Sequence, residues 1–465
     1  MSGAQSRCSK VVARDLLRGE RRAPSRVALG AADILARWRA TVRWTRASTA
    51  AREARALPVQ CVFAVWFVVF AGLCRAVNAQ TTNLSPLRDE WVDSDTGHRI
   101  TRISRVPGES QSLYFHQNQF TASGDKLVYE NTDTKFNSQR VRNERSTFTN
   151  RIYSYDFKSG KSELLTDHGG KVILVMPDNR LVYHQRSNTL YATHLDTHET
   201  KTLAEIPLRW RVAAISADET LGAGSFLDEG GTKIDTSGPK SSWFNEIFDA
   251  GRPGGIFTIN LKTGETNVIR RGTNWFNHFQ FSPTDPTLLQ FCHEGPWHKL
   301  DRIWQIRTDG SGLRLMHART MPMEIAGHEF WSHDGKTTWF DLQMPKGEKF
   351  FIGGVNVNSG KTTRYKVARD WWSVHFNISW DGKLFAGDGG DSGMVAKAPD
   401  GKWIYLFTPR WNGTLKAEKL VNMGKHDYDL EPNVQFTPDG KQIVFRANFD
   451  GVAQVYAVEL GKGKR

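Results

Sequence analysis

The chain has 465 residues and a formal net charge of +13, with 41 glycines and 11% aromatic residues. Of that charge, +9 sits in residues 1–56 and +1 at Arg75, which leaves +3 for residues 80–465. That excludes a nucleic-acid-binding face in the body of the protein, because phosphate recognition needs a dense basic surface.

Residues 1–56 read as a basic leader, with two explanations: a start site placed upstream of the true one, or a cytosolic tail ahead of an uncleaved anchor. Residues 57–79 hold the apolar run Val62–Leu73 followed by small residues around Ala79, the pattern of a secretory signal peptide. The run is short for a bilayer span, so contact with a membrane is expected only through the signal or as an uncleaved anchor. A periplasmic or secreted protein is the expectation. Three of the four cysteines, Cys8, Cys61 and Cys74, precede residue 80. Cys292 then stands alone in residues 80–465, where no internal disulfide can form, and reads as buried packing.

From Gly97 onward the sequence alternates strands and tight turns, with almost no helical periodicity. Seven units of about 40–55 residues follow one another, the pattern of β-propeller blades. The first contains Phe115–Phe120, Leu127-Val128-Tyr129 and Ile152–Asp156; the second starts at Val172. The third starts at Val212 and carries a polar insertion from Asp228 to Pro253. The fourth to seventh start near Asn277, Gly327, Ser373 and Glu431. The expected fold is an all-β, seven-bladed propeller over residues 80–465. The seventh unit offers only three strands, so Arg99–Ile103 is expected to supply its outer strand and close the ring by pairing the two ends of the domain.

Aligned on the Ser or Thr that opens each turn, His278, His328, His375 and Asn433 occupy one position in units four to seven. Units one to three place Gln117, Val172 and Val212 there. In a propeller one inner-strand position maps onto one ring around the channel mouth, so three imidazoles and an amide should gather on one arc. Imidazole, carboxylate and amide oxygen together suit a borderline or hard divalent ion. A neutral imidazole can equally act as a general base. Glu431 lies two residues before Asn433 on the same strand face. Arg302, next to a polar and aromatic loop with His293 and Trp297, suits a carboxylate ligand or else a salt bridge with Asp301 or Asp309. Trp275, Trp297, Trp331, Trp371 and Trp372 cluster near the same strand starts, mostly as core.

The strings Phe291-Cys292-His293-Glu294-Gly295-Pro296, Asp301-Arg302-Ile303-Trp304, His328-Glu329-Phe330-Trp331 and Gly387-Asp388-Gly389 resemble the oligogalacturonate lyase family, over roughly Gly97 to Leu460. The resemblance implies a seven-bladed propeller and β-elimination on uronate oligosaccharides, with a manganese-type divalent ion. It implies His328 as the base that removes the C5 proton and Arg302 as the second catalytic residue, holding the substrate carboxylate. His375 matches a metal-binding histidine. In the last unit the family carries a glutamine and a His-Pro-His run, where this chain has Tyr428 and Glu431-Pro432-Asn433. The expected site therefore has His328 and Arg302 as catalytic residues, His375, Glu431 and Asn433 as metal ligands, and His278, His293 and Trp297 against substrate. Mn²⁺ is the expected ion, with Ca²⁺ or Mg²⁺ as alternatives for an oxygen-rich donor set. The partner is an anionic uronate oligosaccharide. The altered last unit keeps a second reading open, a non-catalytic propeller that binds a carbohydrate or a protein at the channel mouth.

Overall fold

The structure is a computed structural model that describes residues 88–133, 150–167, 169–230, 232–236, 240–394 and 397–462. The basic leader and the signal segment lie outside these residues. Among the described residues no helix is long and apolar enough to cross a membrane.

Seven antiparallel sheets follow one another in chain order, the seven-bladed propeller expected from the repeats. Blade one is built from Glu109–Gln111, Lys126–Thr132, Arg151–Asp156 and Lys161–Thr166; blade four from Trp275–Phe281, Leu288–Glu294, Ile303–Arg307 and Arg314–Leu315. Blade five runs from Ile325–Trp331 to Thr362–Val367, and blade six from Phe376–Ile378 to Leu415–Asn422. The recurring turn has a common chemistry. Ser332, Ser379 and Thr437 each donate a hydroxyl hydrogen bond of 2.7 Å to an Asp two residues on. Gly335, Gly382 and Gly440 follow with φ of 67°, 72° and 67°, a left-handed conformation in which a glycine pays no Cβ penalty.

The ring closes as expected. His98–Arg102 pairs antiparallel with Gln454–Lys462, Ile100 opposite Val458, and Ile100 is fully buried. A fifth strand, Glu90–Val92, adds to the outside of the same blade. It was not legible in the short sequence Glu90-Trp91-Val92. Joining first and last strands leaves the circle no gap at which the chain ends could separate blades one and seven.

Apolar side chains fill the spaces between neighbouring blades. Blades five and six share Trp339, Phe350, Ile352, Trp372, Phe376, Phe385 and Phe407. Trp331 and Trp372 are thus core, as expected of most of the tryptophans. Around the channel, side-chain amides and a carboxylate of one blade stitch it to the inner strand of the next. Glu130 accepts from Val172 N at 2.7 Å, Gln185 from Val212 N at 2.9 Å, and Asn377 from Phe436 N at 3.1 Å. These are groups whose burial would cost energy if they were left unpaired.

Two departures from the repeat bear on the channel. The blade-three insertion contains a helix, α1 (Lys240–Asp249), that the polar sequence did not suggest. Its Trp243 and Ile247 are buried, and its Phe244 and Phe248 reach Trp275 and His293 of blade four. In blade one the inner strand breaks after Gln111 and resumes only at the Phe120–Leu127 bridge. The intervening chain carries Tyr114, Phe115 and His116 into the centre of the ring.

Candidate functional site

Each inner strand of blades four and five carries a bulge at the repeated position. The pairing register shifts between Asn277 and Gln280, and again between Gly327 and Phe330. His278 and His328 sit in those bulges with φ of 49° and 47°, and Asn433 has φ of 54°. A left-handed backbone costs a non-glycine residue about 1 kcal/mol or more, and His and Asn accept it better than most. Strain of that kind at one repeated address marks a site the fold holds in place.

The three histidines come together as the alignment predicted. The ring centroids of His278 and His328 are 6.4 Å apart, and those of His328 and His375 are 4.4 Å apart. Behind each stands a carboxylate. His375 Nδ1 is 2.7 Å from Asp388 Oδ2, whose other oxygen accepts from His375 N at 2.8 Å and Val374 N at 3.1 Å. His328 Nδ1 lies 3.1 Å from Asp341 Oδ1, and His278 Nδ1 lies 3.4 Å from Glu329 Oε1, both outside hydrogen-bonding geometry. Burial opposes a charge on His375, but Asp388 and then Glu431 outweigh it and hold its pKa above the usual 6.5.

The blade-one insert fills the space between these rings. Tyr114 OH is 3.3 Å from His375 Nε2, Phe115 stacks on His375 at 4.8 Å, and His116 is 5.6 Å from His278. Burial, followed by the charge of Glu431, pushes the Tyr114 phenol well above its ordinary pKa, so it stays protonated. Burial and the neighbouring His278 hold His116 well below its usual value, so it stays neutral. The sequence reading missed both residues. They lie in a stretch where the strand alternation is broken, so no face could be assigned to them.

Arg302 is 1% exposed, which rules out the surface pairing with Asp301 or Asp309. Its guanidinium instead grips Glu294 with both terminal nitrogens, at 2.5 and 3.3 Å, and lies 4.1 Å from the Trp297 ring. Asp301 pairs with Arg319. Burial works against the Arg302 charge, and Cys292, Glu294 and Glu329 more than compensate, so it stays charged. Trp297 is also 4.8 Å from His328, placing it between the arginine and that imidazole. His293 is elsewhere. It faces α1, 6.3 Å from Phe248, with its Nδ1 near Asn274, and does not join the imidazole cluster.

The expected metal donors separate into two groups. Glu431 Oε2 stands 3.8 Å from His375 Nε2, a spacing that an ion could bridge. Asn433 is committed to the backbone: its Oδ1 accepts from Phe115 N at 3.1 Å and its Nδ2 donates to Glu431 O at 3.0 Å. The expectation of Asn433 as a ligand gives way to a role in clamping the blade-one insert. Tyr428 is buried and donates to Asp388 O at 3.1 Å, behind the site.

The family model for oligogalacturonate lyase matches residues 79–463. The chain belongs to the oligogalacturonate lyase family. It is 25% identical over 399 residues to an oligogalacturonide lyase of Pectobacterium atrosepticum, covering 80% of this chain and 95% of that one. An oligogalacturonate lyase of Dickeya dadantii is 25% identical over 400 residues, with the same coverage. Two solved structures share the fold with a TM-score of 0.67 at 23% identity, each covering 80% of this chain and 96% of the other. One is an oligogalacturonate lyase in complex with manganese; the other is the oligogalacturonate lyase of Vibrio parahaemolyticus. Every residue placed at the channel site lies inside the span matched by the family.

Proposed function

We propose that the protein is a polysaccharide lyase that cleaves uronate oligosaccharides of the oligogalacturonate type by β-elimination, and so takes part in pectin breakdown. The observation that carries this reading is the convergence of His278, His328 and His375 beside Arg302 and Trp297, two of the imidazoles held in strained bulges. Family membership and the relatives named as lyases support it.

In the elimination, a base takes the proton from C5, next to the uronate carboxylate. The C4–O bond then breaks, a C4–C5 double bond forms, and the leaving oxygen gains a proton. His328 is the base. Its Nδ1 faces Asp341, which leaves Nε2 to receive the proton, and the carboxylate stabilises the imidazolium that results. Arg302 holds the charge of the substrate carboxylate. The Glu294 bond keeps its planar fork in one orientation, and Trp297 offers a flat face for a sugar ring. His278 lines the same space; His293 has no part in it.

His375 and Glu431 are the residues that would hold a divalent ion, Mn²⁺ first. The chemistry of the pair fits. Asp388 fixes the Nδ1 side of His375, which leaves Nε2 on the side of Tyr114 OH and Glu431, and one imidazole with one carboxylate suits an ion that keeps several waters. When bound, such an ion neutralises the uronate and makes the C5 proton more acidic.

The test is the near-ultraviolet absorbance of the unsaturated uronate, followed with short galacturonate oligosaccharides, with Mn²⁺ and after chelation. A rise that chelation removes and His328→Ala abolishes is expected. One observation favours the alternative, a propeller that binds without turnover: Arg302 is already paired with Glu294 and covered by Trp297. Ligand affinity that survives His328→Ala, with no absorbance rise from any uronate, would decide for it. We also take the site of action to be periplasmic or secreted, on the strength of the apolar segment before residue 80. Cell fractionation with an antibody to the propeller tests that.

A further inference from the structure

Glu329 follows the base in sequence, but its side chain turns away from the channel into blade four. It is fully buried, and neither of its carboxylate oxygens has a hydrogen-bond partner. A carboxylate in that condition is expensive, because desolvation is met by no donor. The nearest basic nitrogen, His278 Nδ1, is 3.4 Å away and also lacks a hydrogen bond. The Arg302 charge is felt at Glu329, but its terminal nitrogens are taken by Glu294. On the adjoining strand, opposite Asn277 in the register, lies Cys292, fully buried. The Cys292 sulfur, a His278 ring nitrogen and a Glu329 oxygen all lie within 4.8 Å of one another.

We propose that His278, Cys292 and Glu329 form a second metal site, distinct from the His375–Glu431 pair, that takes a borderline divalent ion of the zinc type. One imidazole nitrogen, one thiolate and one carboxylate oxygen is a donor set that zinc prefers and that the hard ions Ca²⁺ and Mg²⁺ do not. The charges balance. Glu294 neutralises Arg302, and a divalent ion neutralises the Cys292 thiolate together with the Glu329 carboxylate. Ligand atoms at about 2.0–2.3 Å from zinc stand about 3.5 Å from each other, so binding needs a contraction of about 1 Å, which side-chain rotation supplies. Three protein ligands leave a fourth position open. His278, at 12% side-chain exposure, is the member of the set nearest solvent, and it gives the ion its way in from the channel.

The proposal does not depend on lyase activity. The experiment is titration of the metal-free protein with Co²⁺, a spectroscopic stand-in for zinc, and competition by Zn²⁺. A near-ultraviolet thiolate-to-cobalt band reaching one equivalent, displaced by Zn²⁺, is expected. The band should vanish in Cys292→Ala. The Co²⁺ affinity should fall at least about tenfold in Glu329→Gln and in His278→Asn, while His375→Ala leaves the band in place. His278 is partly exposed, so its variant tests the site even where a change at the buried Cys292 or Glu329 prevents folding. Absence of a thiolate band in the wild type overturns the proposal. So does a band that persists in Cys292→Ala, which would trace it to another cysteine, or one lost with His375→Ala and kept with His278→Asn.

Discussion

Asp388→Asn is the substitution that most directly asks what holds His375. The Asp388 carboxylate is fully buried and makes four contacts: Oδ1 with Val374 N and His375 N, Oδ2 with His375 Nδ1 at 2.7 Å and Asn433 N at 3.3 Å. An asparagine can keep its oxygen on the two backbone donors of blade six. Its NH₂ then faces His375 Nδ1 and the Asn433 N–H. The first contact survives only if the imidazole changes tautomer, so that Nδ1 accepts and Nε2 carries the hydrogen. The second becomes donor against donor. Losing a charge-assisted bond and crowding a weaker one costs about 2–3 kcal/mol of stability at neutral pH. With Nε2 protonated, its lone pair is gone, so Mn²⁺ affinity should fall about 10–100-fold, the usual effect of losing a carboxylate behind a ligating histidine. The pH dependence carries a separate signature. The folded-state pKa of His375 is raised above 6.5, so its contribution is complete below that value and fades as pH rises through the raised pKa. The variant should lack that alkaline decline. Urea denaturation across pH and Mn²⁺ titration measure both effects. A variant with wild-type Mn²⁺ affinity and the same alkaline decline would refute the reasoning about tautomer and charge.

Three further predictions concern other parts of the ring. His426 is buried, donates from Nε2 to Leu430 O at 2.8 Å and accepts at Nδ1 from Asn448 N, and burial lowers its pKa from 6.5 to about 4. A depressed histidine stabilises fully above its unfolded pKa and loses that contribution as pH falls from 6.5 toward 4, a loss of about 3 kcal/mol. Denaturation midpoints at those two pH values should differ less in His426→Asn, whose amide oxygen can still accept from Asn448. Ile100→Ala removes a fully buried side chain from the strand that closes the ring and should cost about 2–4 kcal/mol by the same denaturation assay. Gly327→Ala would set a Cβ 2.8 Å from the Trp297 ring. It should displace Trp297 from Arg302 and His328 and lower lyase rate more than stability, and Trp297→Leu in the same chain should recover the folding midpoint but not the rate.

How much of this could be read in the sequence follows from which features repeat. The turn does, and with it the blade count and the closing strand, because the blades turn at the same point and the last three share one hydroxyl–Asp–Gly corner. The common address of His278, His328 and His375 was legible for the same reason, and they do meet. What lay outside the repeat was not legible. Arg302 was matched with acids near in sequence, Asp301 and Asp309, whereas its partner Glu294 faces it across an antiparallel hairpin eight residues away. Asn433 looked like a fourth member of the ring because it shares the address. Yet its amide is consumed by Phe115 N and Glu431 O, and Phe115 belongs to the one inner strand that abandons the pattern.

That broken strand also explains why one arc of the ring carries the chemistry. Blades two and three place Val172 and Val212 at the repeated position, both buried, and each pairs its backbone N–H with a side chain of the preceding blade, Glu130 or Gln185. Their arc of the ring is held by ordinary stitching. On the other half, Gln435 Nε2 reaches the carbonyls of Tyr114 and Gln117, both at 3.0 Å, while Asn377 Nδ2 takes that of Phe115 at 3.1 Å. Side chains of blades six and seven therefore anchor the blade-one insert by its backbone, leaving the rings of Tyr114, Phe115 and His116 to pack among the imidazoles. A cavity of about 390 Å³ is lined by Phe115 and His116 and by turn residues such as Pro177, Pro283 and Trp380. The insert thus occupies the centre of the ring, and on the proposed function an anionic sugar arriving from the strand starts would meet Tyr114 and three histidines.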